Sequence, residues 1–180
     1  ADERLALLTG FTGAAGFAAV RARRAGLFVD GRYRLQARDQ IDETAFTIVP
    51  WPDRKLADWL KDALPDGGTV GFDPWLHTVG EIETLRKALT GTPIDLADCP
   101  NLIDRIWMDR PAPPAGEITR YPDALVGRGS KEKRALVAET LREEGDAATV
   151  LTLPDSIAWL HNIRGADLAR IPAPHAYAII

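Results

Sequence analysis

A chain of 180 residues that is 46% hydrophobic can hold one large domain or two small ones around a real core. Its formal charge of −4, with signs interleaved along the chain, points to no nucleic-acid or membrane-surface partner. The lone Cys99 excludes an internal disulfide framework and fits a reducing compartment. No apolar run approaches the roughly 20 residues of a membrane span, and no signal-peptide pattern opens the sequence.

Taken in chain order, residues 4–13 (RLALLTGFTG) read as an apolar helical turn followed by glycines. Residues 17–20 and 27–29 read as a hairpin turned at Arg24, Ala25 and Gly26. The pattern predicts a helix over 33–41, opened by Asp30 and Gly31, then a β-rich run at 46–49 ended by Pro50 and Pro52. Asp53 is a suitable N-cap for a helix through about 64, with Leu56, Trp59, Leu60 and Leu64 on one stripe. A strand at 69–72 follows, and Thr78 with Glu81 makes a capping-box pattern for a helix ending near Gly91. Residues 94–96 read as a short strand, and Asn101 can cap a turn carrying Leu102, Ile103 and Ile106. Strands alternating with helices argue for an α/β fold.

Composition then changes. Pro111, Pro113, Pro114 and Pro122 predict an extended linker, because proline fixes φ and resists regular structure. Beyond it, Ser130 is placed to cap a helix over 131–144, a strand is expected at 148–153, and Asp155 or Ser156 to cap the last helix. That helix carries a second copy of the opening motif. Residues 156–165 (SIAWLHNIRG) match 4–13 at Ala158, Leu160 and Gly165, and each copy leads to a strand-like run, GFAAV and HAYAII. The repeat predicts two related α/β domains in tandem, with chance similarity as the alternative. What precedes the second copy, a helix and a strand, has no counterpart before the first. The window is therefore expected to open inside one domain and to stop inside the next. The one methionine is Met108, so Ala1 is expected not to be a translation start.

Few residues carry chemistry. Gly10, Gly13 and Gly16 precede a strand and not a helix, so they read as a tight corner and not as a dinucleotide fingerprint. The run from Gly127 to Lys131 lacks phosphate-loop spacing. His77, His161 and His175 are scattered, Cys99 has no partner histidine at diagnostic spacing, and Ser156 lies outside a nucleophile elbow. No catalytic residue and no metal ligand is therefore assigned within the chain. Asp30-Gly31-Arg32-Tyr33 stands out, between a strand end and a helix start, where α/β folds place ligand-contacting loops. Arg32 brings a planar fork that can grip a carboxylate or a carbonyl; the alternative is an Asp–Arg pair that fixes the turn.

With these residues, RLALLTGFTGAAGFAAV, LFVDGRYRLQA, VGFDPWLHT, NLIDRIWMDRPAPP and DSIAWLHNIRGADLARIP together resemble the N-terminal half of Xaa-Pro aminopeptidases (the aminopeptidase P family of the creatinase and prolidase superfamily), in their larger three-domain cytosolic type. Ala14 departs from the serine usual in that family. The resemblance implies an α/β fold of two tandem creatinase-N-terminal-like domains, each a mixed sheet flanked by helices and both truncated. The first would cover 1–108, the linker 109–123 and the start of the second 124–180. It implies a parent hydrolase that releases the N-terminal residue of peptides with proline second. Its third domain would hold two divalent metals, usually manganese, through Asp, Asp, His, Glu and Glu beyond this chain. Within the chain it implies a substrate contact by Arg32, supported by Asp30 and Tyr33. Arg164 is a second candidate, for which a corner-stabilising role is an equal reading. The expected partners are the peptide, the chain's own C-terminal catalytic domain and a second copy in a cytoplasmic homodimer, with no nucleic acid and no membrane. The rival reading is a free-standing binding or interaction module that joins no peptidase domain.

Overall fold

The strand that organises the first half of the chain is its most buried one. The computed structural model describes residues 2–168 and 170–180; Ala1 and Ala169, inside the expected first and second domains, lie outside the described residues. The chain divides into two units, Ala1–Pro111 and Ala112–Ile180.

In the first unit, α1 (Arg4–Thr9) leads into β1 (Gly16–Arg21), β2 (Arg24–Val29) and β3 (Phe46–Pro50). These form a three-stranded sheet in the order β1-β2-β3, antiparallel between β1 and β2 and parallel between β2 and β3. Successive side chains of a strand point to opposite faces. Phe28 accordingly packs with Val49, Trp59, Leu60, Leu89 and Ile94, while Leu27 and Val29 pack with Phe11, Ala37 and Ile41 on the other face. Burial on both faces is why this strand reads as an unbroken apolar run. The helix α2 (Arg34–Gln40) contributes Ala37 to one core and α3 (Leu56–Ala63) contributes Trp59 and Leu60 to the other. A parallel pair follows, β4 (Gly68–Phe72) and β5 (Ile94–Asp98), linked through α4 (Val79–Ala88), and then the short α5 (Leu102–Ile106).

Two local expectations are corrected here. The hairpin turns at Ala22 and Arg23, since Arg21 pairs with Arg24, and not at residues 24–26. Ala25 and Gly26 are strand residues because the Trp59 indole lies on Gly26, where a Cβ would stand 3.1 Å from it. Asp53 does not cap α3, which starts after Lys55; its carboxylate accepts from Arg34 at 2.7 Å.

The second unit holds β6 (Ile118–Arg120), α6 (Ser130–Glu144), β7 (Val150–Leu151), α7 (Pro154–His161), β8 (Ile163–Gly165) and β9 (Ala178–Ile179). Its pairs, β6 with β8 and β7 with β9, are antiparallel. Part of the expected linker is thus built into this sheet. Between Pro114 and Pro122 the chain keeps its backbone donors, so Ile118–Arg120 can pair with β8, and the Gly116 N–H donates to Asp167 at 2.7 Å. Ser130 opens α6 and does not cap it. Pro154 opens α7, where a proline's fixed φ suits the first turn, so Asp155 and Ser156 lie inside the helix.

The two copies of the repeat share a helix and a left-handed cap. Gly10, at φ 79°, ends α1, and Asn162, at φ 51°, ends α7 at the aligned position. Glycine and asparagine are the residues that enter this region at least cost. The strand begins at once after Asn162 but only at Gly16 in the first copy. No helix among the described residues is long and apolar enough to cross a membrane.

Candidate functional site

At Val29, β2 leaves the sheet at the carboxyl end of its parallel pairing with β3, and the next residue, Asp30, caps a 3-10 turn over Gly31–Tyr33. The cap is built from the backbone: the Asp30 Oδ1 accepts from the Arg32 N–H at 2.9 Å, and the Tyr33 N–H donates to the Asp30 carbonyl at 3.1 Å. The Arg32 side chain then folds back over the same carboxylate. Its Nη2 donates to Oδ2 at 2.6 Å, and its Nε lies 3.2 and 3.1 Å from the two oxygens. This side-on grip holds the Asp30 carboxyl below its ordinary range, chiefly through the Arg32 side chain, and raises the Arg32 guanidinium.

The pair is asymmetric in exposure. The Asp30 side chain is 15% exposed and that of Arg32 is 74% exposed. The guanidinium lies over the Tyr33 ring, 5.3 Å from its centroid, and Tyr33 meets the buried Phe11 edge-on at 5.9 Å. Gly13 completes this stack, since a Cβ there would come within 2.8 Å of Tyr33 and 2.2 Å of Phe11. Around the preceding loop, Gln40 Oε1 accepts from the Thr12 N–H at 3.0 Å and Gln40 Nε2 donates to Thr12 Oγ1 at 2.9 Å. Arg34, the next cation, is paired with Asp53. The arginine therefore sits on a rigid aromatic base with one edge held and the other edge, including Nη1, without a partner among the described residues. Asp30, Arg32 and Tyr33 lie together at this turn.

Arg164 belongs to the second unit. It lies on β8, opposite Thr119, with its guanidinium 4.0 Å from the centroid of the Tyr121 ring and Nη1 donating to the Ile163 carbonyl at 2.8 Å. Beside it is a buried device with no sequence signature of function. Lys133, 5% exposed, donates to the Asn162 Oδ1 at 2.6 Å and to the Trp159 carbonyl at 2.7 Å, with its ammonium 4.0 Å above the Trp159 ring. A lysine on an amphipathic helix reads as surface; only the alignment of Asn162 with Gly10 marks this corner as special. Its partners here are neutral carbonyls and a ring face, and two of them lie at the carboxyl end of α7, where a cation is favoured.

The remaining sequence candidates are structural. Thr78 and Glu81 form the expected reciprocal capping box, at 2.8 and 3.2 Å, which also holds the Glu81 carboxyl down. His77 meets Phe72 edge-on at 5.9 Å. Cys99 is half-buried against Gly71. Among the described residues, no group of three or more His, Cys, Asp or Glu side chains converges as a metal ion requires, so the residues here do not fit a metal centre.

Residues 1–108 match the family model of the Creatinase/Prolidase N-terminal domain, and residues 109–180 match a second family model of the same description. A probable Xaa-Pro aminopeptidase P of Coccidioides posadasii (strain C735) is 36% identical over 183 residues, covering 99% of this chain and 28% of that protein. Aminopeptidase P1 of Arabidopsis thaliana is 32% identical over 180 residues, with the same coverage of 99% and 28%. Among solved structures, the X-prolyl aminopeptidase from Caenorhabditis elegans, described as a cytosolic enzyme with a di-nuclear active site, has a TM-score of 0.92 at 34% identity, covering 99% of this chain and 30% of that one. The chain thus spans less than a third of the length of these relatives.

Proposed function

The chain belongs to the creatinase/prolidase N-terminal domain family, and from that premise we propose that it is the noncatalytic N-terminal region of a longer Xaa-Pro aminopeptidase. In this reading the longer protein releases the N-terminal residue from peptides with proline second, and this region shapes access of the peptide to the reacting site. The observation that carries the reading is the likeness, along 99% of the chain, to a solved X-prolyl aminopeptidase. Two divalent metal ions, manganese by family resemblance, would be held by a catalytic domain outside this chain, with a cytosolic location and a homodimer as further parts of the proposal.

Arg32 is the residue proposed to reach the peptide, with Asp30 and Tyr33 supporting it and Arg164 holding the corner of the second unit. The geometry favours this over a turn-fixing role. The turn is already closed by the Asp30 carboxylate and carbonyl through two backbone N–H groups, neither of which needs the guanidinium. An exposed ion pair adds little to stability, so the guanidinium is spare for recognition.

The test is Arg32→Ala in the longer protein, assayed on an Xaa-Pro peptide with its metal. Loss of a charged hydrogen bond to substrate lowers kcat/KM by about 10- to 150-fold, and Arg32→Lys restores only part, because an ammonium cannot present the planar fork. Tm stays within about 2 °C of the parent. Unchanged kinetics with a lowered Tm would return Arg32 to the turn.

A further inference from the structure

The tip of the β1–β2 hairpin carries Arg21, Arg23 and Arg24, all exposed, in a chain whose formal charge is −4. Arg21 and Arg24 are the last pair of the ladder and lie directly opposite one another. Like charges so placed cost stability. The fold nevertheless holds both. The Arg21 Nη1 donates to the carbonyl of Ala63, the last residue of α3, where a cation is favoured. The Arg24 guanidinium lies over the buried Trp59 ring, 5.3 Å from its centroid. Arg23 stands between them in the turn. The ion pairs of this unit use Arg4, Arg32, Arg34, Arg54 and Arg110, and among the described residues none of the three hairpin arginines takes part in one. Of the acids on and just after α3, Asp62 is taken by Arg54, and neither Asp58 nor Asp66 pairs with the hairpin. The length of β2 separates this tip from Asp30, about 20 Å of extended chain.

We propose that this tip is a docking point for an acidic segment of another protein, a short run of Asp or Glu side chains. The planar fork of arginine matches a carboxylate through two parallel hydrogen bonds. Two of the three guanidiniums are already held against α3, so little side-chain freedom is left to lose on binding. A partner's carboxylates also relieve the Arg21–Arg24 repulsion, a gain that the chain lacks on its own. Scale favours a short segment over a membrane surface or a nucleic acid. Those are extended polyanions, which the net negative charge of the chain opposes. A short segment senses only the field within a Debye length, about 8 Å at physiological salt. The inference depends neither on the role of Arg32 nor on the aminopeptidase reading.

Fluorescence anisotropy of a labelled hexaglutamate peptide, titrated with the full-length protein, tests it, with hexaglutamine, phosphatidylserine vesicles and duplex DNA as the comparison probes. Hexaglutamate is expected to bind saturably at low salt and to be released near 1 M salt, where the Debye length shrinks to about 3 Å. Hexaglutamine is expected not to bind. Arg23→Gln is expected to weaken hexaglutamate binding by up to about fivefold, the range of one exposed ion pair, and Arg23→Glu to weaken it further. Both leave Tm unchanged, because the Arg23 side chain is exposed in the turn. The combined Arg21→Gln, Arg23→Gln and Arg24→Gln variant is expected to abolish binding. It also loses a bond to α3, so its Tm is read alongside, and the two Arg23 variants decide the matter if it unfolds. Absence of hexaglutamate binding overturns the proposal, as does equal binding of hexaglutamine. Binding that Arg23→Glu leaves unchanged overturns it too. An Arg23-dependent preference for the vesicles or the DNA overturns it in favour of those surfaces.

Discussion

At the scale of single residues, Asp30 and Arg32 form one ion pair but do unequal work. Asp30 accepts the Arg32 backbone N–H as well as its side chain, whereas the Arg32 side chain reaches only the carboxylate and closes none of the turn's backbone bonds. Asp30→Ala therefore removes a cap and lowers Tm, while Arg32→Ala leaves the cap standing. Thermal unfolding of the two variants, measured side by side, checks the order; a larger drop for Arg32→Ala would show that the guanidinium braces the turn. The motif D-G-R-Y was legible in the sequence because a short acid, a glycine and an arginine at a strand end describe a capped turn that leaves a charged side chain outward. The Phe11–Tyr33–Gly13 base was not legible, because it joins residues about twenty apart that meet only once α1 and α2 cover the same face of β2.

At the scale of elements, the corner after α7 depends on a lysine that no pattern singles out. Lys133 spans from α6 to the Trp159 carbonyl of α7 and to Asn162, whose own Nδ2 donates to the Arg128 carbonyl at 3.2 Å. Lys133→Met keeps the stem's packing but strands the buried Asn162 Oδ1, which costs about 1–3 kcal/mol. Asn162→Gly keeps the left-handed backbone and loses the side-chain bonds, so it is expected to cost less than Asn162→Ala, which also strains φ. Urea titration of the three variants tests this, and equal midpoints for Asn162→Gly and Asn162→Ala would show that the cap conformation contributes nothing. Elsewhere the elements followed local signals closely where both partners were local, as in the Thr78–Glu81 box. They departed where a distant partner decided the outcome. Trp59 draws Gly26 into the strand, Arg34 takes Asp53 away from its helix, and β8 recruits the segment between two prolines.

At the scale of the whole chain, both units carry carboxylates whose folded form is favoured by specific donors. In the first unit, Arg4 grips Asp104 at 2.7 and 3.0 Å and Arg110 adds a contact at 2.8 Å, which ties α1 to the segment after β5 and lowers the Asp104 pKa. Asp30, Asp42 and Glu81 are lowered as well. In the second unit, Asp167 accepts from the His175 and Gly116 N–H groups, both at 2.7 Å, and is lowered by those backbone bonds. A carboxyl with a lowered folded pKa contributes stability that is fully present above its ordinary value, 3.8 for aspartate, and that is lost as pH falls through the lower folded value. The expectation is a Tm that holds near neutrality and falls steeply below about pH 4 as these groups take up protons. Asp104→Asn and Asp167→Asn each remove one titrating group, one per unit, so each should flatten the acid limb while lowering the neutral plateau. Calorimetry from pH 7 to pH 2 reads both effects. An acid limb that keeps its slope in both variants would show that these two clasps, one closing each unit's entry segment, do not govern its unfolding in acid.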